Sequence, residues 1–201
     1  MPLHKIITKP DDTTVLIWQI TEPEIALRSG IKMRENSLRR LSFMSSEIHR
    51  KGFLSIRHLL KKAGYTDKDL EYNASGKPEL ADDLFISISH SFDYSAIALS
   101  KRKIGIDVER IRDKVKNIAP KFIKYEQVDY NSEQAAQQLT KIWCVKESIY
   151  KIEDIAGLSF RKNIYVKPNG SAVCIANSQW FTYQTEYVDL EHYQLAFVLK
   201  N

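Results

Sequence analysis

Asp107, Glu109, Glu147 and Lys151 are the residues whose types and spacing bear chemistry. The first two stand in Ile104-Gly105-Ile106-Asp107-Val108-Glu109, where apolar β-branched residues alternate with Gly105 and two acids. Period two predicts a strand that presents Gly105, Asp107 and Glu109 on one side, its carboxylates about 7 Å apart. Glu147 and Lys151 stand in Trp143-Cys144-Val145-Lys146-Glu147-Ser148-Ile149-Tyr150-Lys151. Ile142, Val145, Ile149 and Ile152 recur at helical spacing, which predicts a helix with one apolar stripe. Trp143, Glu147 and Lys151 then share a different face. If that face opposes the strand, three carboxylates converge with an ammonium one turn further along. Mg²⁺ takes oxygen ligands in near-octahedral geometry, usually a few carboxylates completed by waters and phosphate oxygens. Lysine adds a point charge for a phosphate oxygen. The set therefore suits one hard cation and a phosphorylated substrate. The same spacings also fit a solvated strand edge and an ordinary i, i+4 Glu-to-Lys pair, so the surrounding elements must decide.

Those elements read as follows. Residues 13–20 are apolar and β-branched and predict a strand. Residues 36–63 hold two helical patterns, a first stripe of Leu38, Leu41 and Met44 or Ser45, and a second of Phe53, Ile56, Leu59, Leu60 and Ala63 that stops at Gly64. Arg50 and Arg57, close to two turns apart, fall on one helical side. Residues 73–78, Asn-Ala-Ser-Gly-Lys-Pro, are a turn by composition. Residues 84–89 and 94–100 alternate as strands joined by a hairpin-like His90-Ser91-Phe92-Asp93 link. A helix is expected over 117–125, then polar surface over 127–138 that leads into the long helix near Asn131-Ser132-Glu133. Beyond Gly157 strands are expected at 160–166, 172–175, 180–187 and 193–199, with Asn169-Gly170 as a hairpin signal.

Charge and composition limit the classes of partner. Thirty Lys and Arg stand against 25 Asp and Glu, a net charge of +5, which favours anionic partners. The basic residues are scattered and not interleaved with aromatics as in single-strand binders, so nucleic acid is not expected as a partner. No apolar run approaches the ~20 residues that span a bilayer, and the first residues carry no signal-peptide apolar region. A cytoplasmic protein without a membrane partner is expected. Cys144 and Cys174 have no zinc-ligand spacing and read as reduced structural thiols.

Gly-Ile-Asp-x-Glu at 105–109, followed by Trp-Cys-x-Lys-Glu-Ser-x-x-Lys at 143–151, resembles the two signature motifs of the surfactin-type 4′-phosphopantetheinyl transferases. The resemblance extends from about Arg50 to Leu158. It implies an α+β fold of two similar α/β halves related by a pseudo-twofold axis, with the active site in the cleft between them. The halves would be residues 1–100, with the coenzyme A nucleotide contacts, and 101–201, with the metal site. Gly76-Lys77-Pro78 matches the place where the family lines its nucleotide pocket. There glycine admits close approach, lysine meets a phosphate and proline stiffens the loop. Ser89 and His90 lie in Ser87-Ile88-Ser89-His90-Ser91, similar to the family's Asn-x-Ser-His-Ser, whose Ser and His contact the coenzyme A phosphates. Ser87 replaces the usual Asn. Arg50 and Arg57 would belong to a basic helix that meets coenzyme A. Phe122 and Glu126 resemble a Phe-x-x-x-x-Glu element with one residue fewer between them.

The resemblance implies Mg-dependent transfer of the 4′-phosphopantetheine arm of coenzyme A to a serine of an acidic acyl- or peptidyl-carrier protein, releasing adenosine 3′,5′-bisphosphate. Asp107, Glu109 and Glu147 would hold the metal, while Lys151 and His90 neutralise charge at the breaking bond. Lys77 would anchor the adenosine end, and the serine proton would go to a metal-bound water or to Glu126 acting through one. Glu109 as a third carboxylate and the two-half length favour the monomeric branch over the shorter trimeric synthases. The alternatives are a coenzyme A-binding module without transferase activity and a metal-dependent phosphohydrolase.

Overall fold

A computed structural model describes residues 3–201, and the chain divides into two compact units, Met1–Lys101 and Arg102–Asn201. The first unit runs β1 (Leu3–Thr8), β2 (Thr14–Gln19), α1 (Glu24–Arg28), α2 (Glu35–Ser42), α3 (Glu47–Lys62), β3 (Leu70–Tyr72), β4 (Pro78–Leu80), β5 (Phe85–Ser91) and β6 (Tyr94–Ser100). Its main sheet is antiparallel in the order β1-β2-β6-β5, and β3 with β4 forms a separate ribbon. Helix α3 starts at Ser46, whose side chain accepts from the His49 N–H, and stops where Gly64 takes φ +91°. It lays Phe53, Leu54, Ile56, Leu59 and Leu60 on Leu16, Trp18, Ile86, Ile97 and Leu99 of the sheet, which makes the core of this unit. The stripe predicted for α2 is rotated: Leu38 is 48% exposed, while Leu41 and Ser37 turn inward, because Asp67 draws the Ser37 hydroxyl into the interior. Strand β1 was not predicted, since its mixture of polar and apolar residues carries no alternation and its extended form rests on pairing with β2.

The second unit runs β7 (Ile104–Arg110), α4 (Val115–Ile118), a 3₁₀ turn (Ala119–Lys121), α5 (Ala135–Glu153), α6 (Phe160–Asn163), β8 (Ile164–Val166), β9 (Ala172–Ala176), β10 (Gln179–Leu190) and β11 (Tyr193–Lys200). These strands form an antiparallel sheet in the order β7-β11-β10-β9-β8, so β7 is an edge strand. The helix expected over 117–125 is cut short: Pro120 has no N–H to continue an α-ladder and sits instead in the 3₁₀ turn. The strand expected over 160–166 begins as one helical turn, because the Ser159 side chain caps the Lys162 N–H. Helix α5 packs on one face of the sheet, where Cys144, Val145, Ile149 and Ile152 meet Ala196, Val198, Cys174 and Tyr183. Both cysteines are free and buried.

Candidate functional site

The site in the second unit is built by the contact of α5 with β7, and Gly105 sets how close that contact is. A Cβ at Gly105 would lie 1.9 Å from the carbonyl oxygen of Ser148, so the backbones of strand and helix meet where a side chain would stand. The Ser148 hydroxyl donates to the Cys144 and Ala196 carbonyls, and the Cys144 thiol donates to the Gln194 carbonyl, which ties the helix to β11 as well. Two residues along the strand, Asp107 is therefore carried under the same helix. Its Oδ1 lies 2.8 Å from Lys151 Nζ, which also donates to the Ile106 carbonyl at 2.7 Å. Asp107 is nearly buried and Lys151 remains about 29% exposed, so the pair stands at the edge of the packed contact.

Glu147 and Glu109 complete the acidic group. Burial, and next the charges of Asp107 and Glu109, push the Glu147 carboxyl up to about 7, against the opposing pull of Lys151. Among the described residues nothing donates a hydrogen bond to Glu147. A half-buried carboxylate facing two others and lacking a donor is a poor structural group and a good ligand for a cation. The donor set, all oxygen, fits a hard divalent ion. The three carboxylates are nevertheless not gathered into a finished cage: among the described residues no group of three or more His, Cys, Asp or Glu is arranged to hold a metal. Lys151, expected to face a phosphate, spends its ammonium on Asp107 here.

Glu126, expected to serve the proton transfer, is placed otherwise. Its side chain is 3% exposed, its Oε1 lies 2.5 Å from Lys146 Nζ, and its oxygens accept from the backbone N–H groups of Lys124, Tyr125 and Val166. Lys146, fully buried, donates in addition to the carbonyls of Phe122, Phe160 and Ile164. These bonds hold Glu126 below the ordinary carboxylate range in spite of burial, and they leave it no lone pair for a water relay. Sequence reasoning passed over Lys146. Its one available signal was a lysine on the apolar side of the helix, next to Val145 and Ile149. Trp143, on the face shared with Glu147, is a packing residue whose ring meets Phe122 edge-on and Phe160 at a tilt.

Beside Glu109 a pocket of about 250 Å³ is lined by Arg110, Arg112, Lys114, Val115, Ile118, Thr140 and Trp143. Its lining combines apolar side chains with three basic ones.

The first unit holds the remaining candidates. The loop between β3 and β4 is stapled by Asn73, whose side-chain oxygen accepts from the N–H groups of Ser75 and Lys77. Gly76 there takes φ +83° with open space on the side a Cβ would occupy, and Lys77 and Pro78 lead into β4. His90 and Ser89 lie on β5 with their side chains on opposite faces. The exposed His90 ring rests on the backbone of α3 at Gly52, where a Cβ would come within 3.0 Å of it, and the His49 ring is 6.0 Å away. Arg50 and Arg57 do not act as a pair. Arg50 donates to Glu24 and to the Met44 and Ser45 carbonyls. Arg57 is buried, stacks on Phe53 at 3.3 Å and donates to Asp67, so it ties α3 to the loop before β3 and is not available to a ligand.

Residues 103–198 match the family model described as the 4′-phosphopantetheinyl transferase superfamily. Over 83 residues the chain is 34% identical to 4′-phosphopantetheinyl transferase gsp of Aneurinibacillus migulanus, a stretch covering 39% of this chain and 35% of that protein. The chain thus aligns with about a third of the length of that curated relative. The first-unit candidates Arg50, Gly76, Lys77, Pro78, Ser89 and His90 lie outside the residues that the family model matches. The matched residues contain both the strand that bears Asp107 and Glu109 and the helix that bears Glu147 and Lys151, and over them the chain is similar to the 4′-phosphopantetheinyl transferase superfamily.

Proposed function

We propose that this protein transfers the 4′-phosphopantetheine arm of coenzyme A to a serine hydroxyl of an acyl- or peptidyl-carrier protein, as an enzyme of the surfactin-type branch. The observation that carries the reading is the pairing of Asp107 with Lys151 at 2.8 Å beside Glu147, a half-buried carboxylate to which nothing donates among the described residues. In this reaction the serine oxygen forms a bond to the phosphorus that bears the pantetheine arm, and the bond from that phosphorus to the nucleotide's phosphate oxygen breaks, releasing adenosine 3′,5′-bisphosphate. Such a step asks for positioning and neutralisation of phosphate charge, with no covalent enzyme intermediate.

Asp107, Glu109 and Glu147 would hold Mg²⁺. When bound, the ion supplies positive charge to the pyrophosphate oxygens. Lys151, fixed through the Ile106 carbonyl at the mouth of the contact, is positioned to give its remaining N–H to a phosphate oxygen once the cation draws on Asp107. In the first unit Gly76, Lys77 and Pro78 would bind the nucleotide end of coenzyme A, and Ser89, His90 and Arg50 its phosphates. The acceptor would be acidic, a reading supported by the net charge of +5 and by the Arg110, Arg112 and Lys114 side chains next to Glu109.

The test is the intact mass of an apo carrier protein after incubation with this protein, coenzyme A and Mg²⁺. The expected result is the gain of one phosphopantetheine arm, abolished by Asp107→Ala and by Glu147→Gln. Coenzyme A binding without any gain on several unrelated carriers would make the protein a binding module. Release of nucleotide without a carrier would make it a phosphohydrolase, and either outcome would overturn the transferase reading.

A further inference from the structure

One cleft of the second unit lies away from the acidic site and contains none of its residues. It encloses about 530 Å³ between residues 125–127, the first half of α5 (Gln138, Lys141, Ile142), the end of β8 with the turn after it, and Tyr187 of β10. That volume is within the range of sites for small organic ligands.

Its walls are unlike an incidental surface groove in three respects. The first is charge. Glu126 is the one carboxylate of the lining, and it is consumed by Lys146 and by backbone N–H groups, whereas Lys141 and Lys167 form no ion pair among the described residues. The cleft therefore presents two cations and no available anion. The second is preorganisation. Lys141 Nζ lies 4.1 Å from the centroid of the Tyr187 ring, a contact worth ~0.5–1 kcal/mol at an exposed site, so this flexible side chain is already laid along the wall before any ligand arrives. The Tyr187 ring is itself held. Its hydroxyl donates to the Gly170 carbonyl, and a Cβ at Gly170, which has φ +86°, would stand 3.3 Å from the ring. The third is aromatic surface. Tyr125 and Tyr165 meet edge-to-face at 6.0 Å as a second aromatic wall, with the amides of Gln127, Gln138 and Asn169 between the two.

We infer that this cleft binds a small organic anion with a flat ring, the anionic group meeting Lys141 and Lys167 and the ring lying against the tyrosines. The shared chemistry is a planar ring bearing a phosphate or carboxylate, and its two plain sources are a nucleoside monophosphate and an aryl acid. The inference stands apart from the transferase reading, since it uses neither Asp107, Glu147 nor Lys151.

The experiment is a titration of the full chain with phenyl phosphate, adenosine monophosphate, benzoate and inorganic phosphate. It is followed by the ring-proton NMR shifts of Tyr165 and Tyr187, so that binding elsewhere does not register. At least one ring-bearing anion is expected to bind about tenfold or more tightly than inorganic phosphate, and which one binds distinguishes the two sources. Lys141→Gln, a change on a partly exposed helix face, should weaken that binding about tenfold or more with the melting temperature unchanged. Tyr187→Phe keeps the ring and should retain it, read on Tyr165. No ring shifts with any probe, equal binding of inorganic phosphate, or undiminished binding to the Lys141→Gln protein would each overturn the inference.

Discussion

Gly105 and Glu147 are the two positions at which a single atom decides the site. At Gly105 the relevant atom is one that is absent: any Cβ would collide with the Ser148 backbone at 1.9 Å, and a backbone carbonyl in the middle of a helix cannot swing aside as a flexible side chain can. Gly105→Ala should therefore force α5 off β7 and lower stability by about 2–3 kcal/mol or more, at the upper end of ordinary overpacking costs. An unchanged urea midpoint would show that the close approach does not constrain the fold. At Glu147 the relevant atom is a proton. Its carboxyl titrates near 7 instead of 4.5, so the folded protein favours the neutral form. The contribution of Glu147 to stability is then fully present below about 4.5 and is lost as pH rises through about 7. In chelator, Glu147→Gln should remove that decline, making the variant the more stable protein at pH 8 by at most about 3 kcal/mol, and less after solvent screening. Added Mg²⁺ should raise the melting temperature of the unsubstituted protein and not that of the variant. Parallel melting curves for the two proteins between pH 5 and 8 would refute the assignment.

At the scale of elements, α5 is the member on which the second unit depends, and Lys146 locks it. Its ammonium gathers three carbonyls and the Glu126 carboxylate from three separate segments. That network sets the helix against the 122–126 segment and the start of β8, and so sets the direction in which the adjacent Glu147 points. Lys146→Met should cost about 3–5 kcal/mol, because it strands a buried carboxylate and three carbonyls. Adding Glu126→Gln to it should recover part of that loss, which a double-mutant cycle in guanidinium would measure. A loss under about 1 kcal/mol for the single change would mean that the pair is dispensable. The same network could not be read from the sequence: a glutamate at a motif position shows no sign of its buried lysine partner, which lies on another element.

For the whole molecule the relevant quantity is charge. On the proposed transferase reading, a net charge of +5 with Arg110, Arg112 and Lys114 around the pocket beside Glu109 makes encounter with an acidic carrier the step that salt should affect. Transfer measured at subsaturating carrier should fall steeply between 50 and 300 mM salt. Arg112→Glu with Lys114→Glu should raise the KM for carrier about tenfold while leaving the KM for coenzyme A within about twofold, as expected where rim charges govern association. A KM for carrier unmoved by the reversal would place the acceptor elsewhere. No helix among the described residues is long and apolar enough to cross a membrane.

What the sequence by itself determined is what depends on local pattern. Period two at 104–109 and the apolar spacing 142, 145, 149, 152 identified β7 and α5, since each pattern must put its apolar side into a core wherever the element lies. The Gly64 helix stop and the turn at 73–78 were legible for the same reason, because backbone freedom and side-chain capping act within a few residues. Tertiary structure decided what depends on partners distant in the chain. Lys146 and Glu126 are 20 positions apart and Arg57 and Asp67 ten, and each charge reads as solvent-facing until its counter-charge is found inside. Leu38 is left outside because Ser37, not Leu38, has a buried partner in Asp67. It also decided that Lys151 rests on Asp107, a bond that strand and helix spacing permit but that only the close approach at Gly105 brings into range.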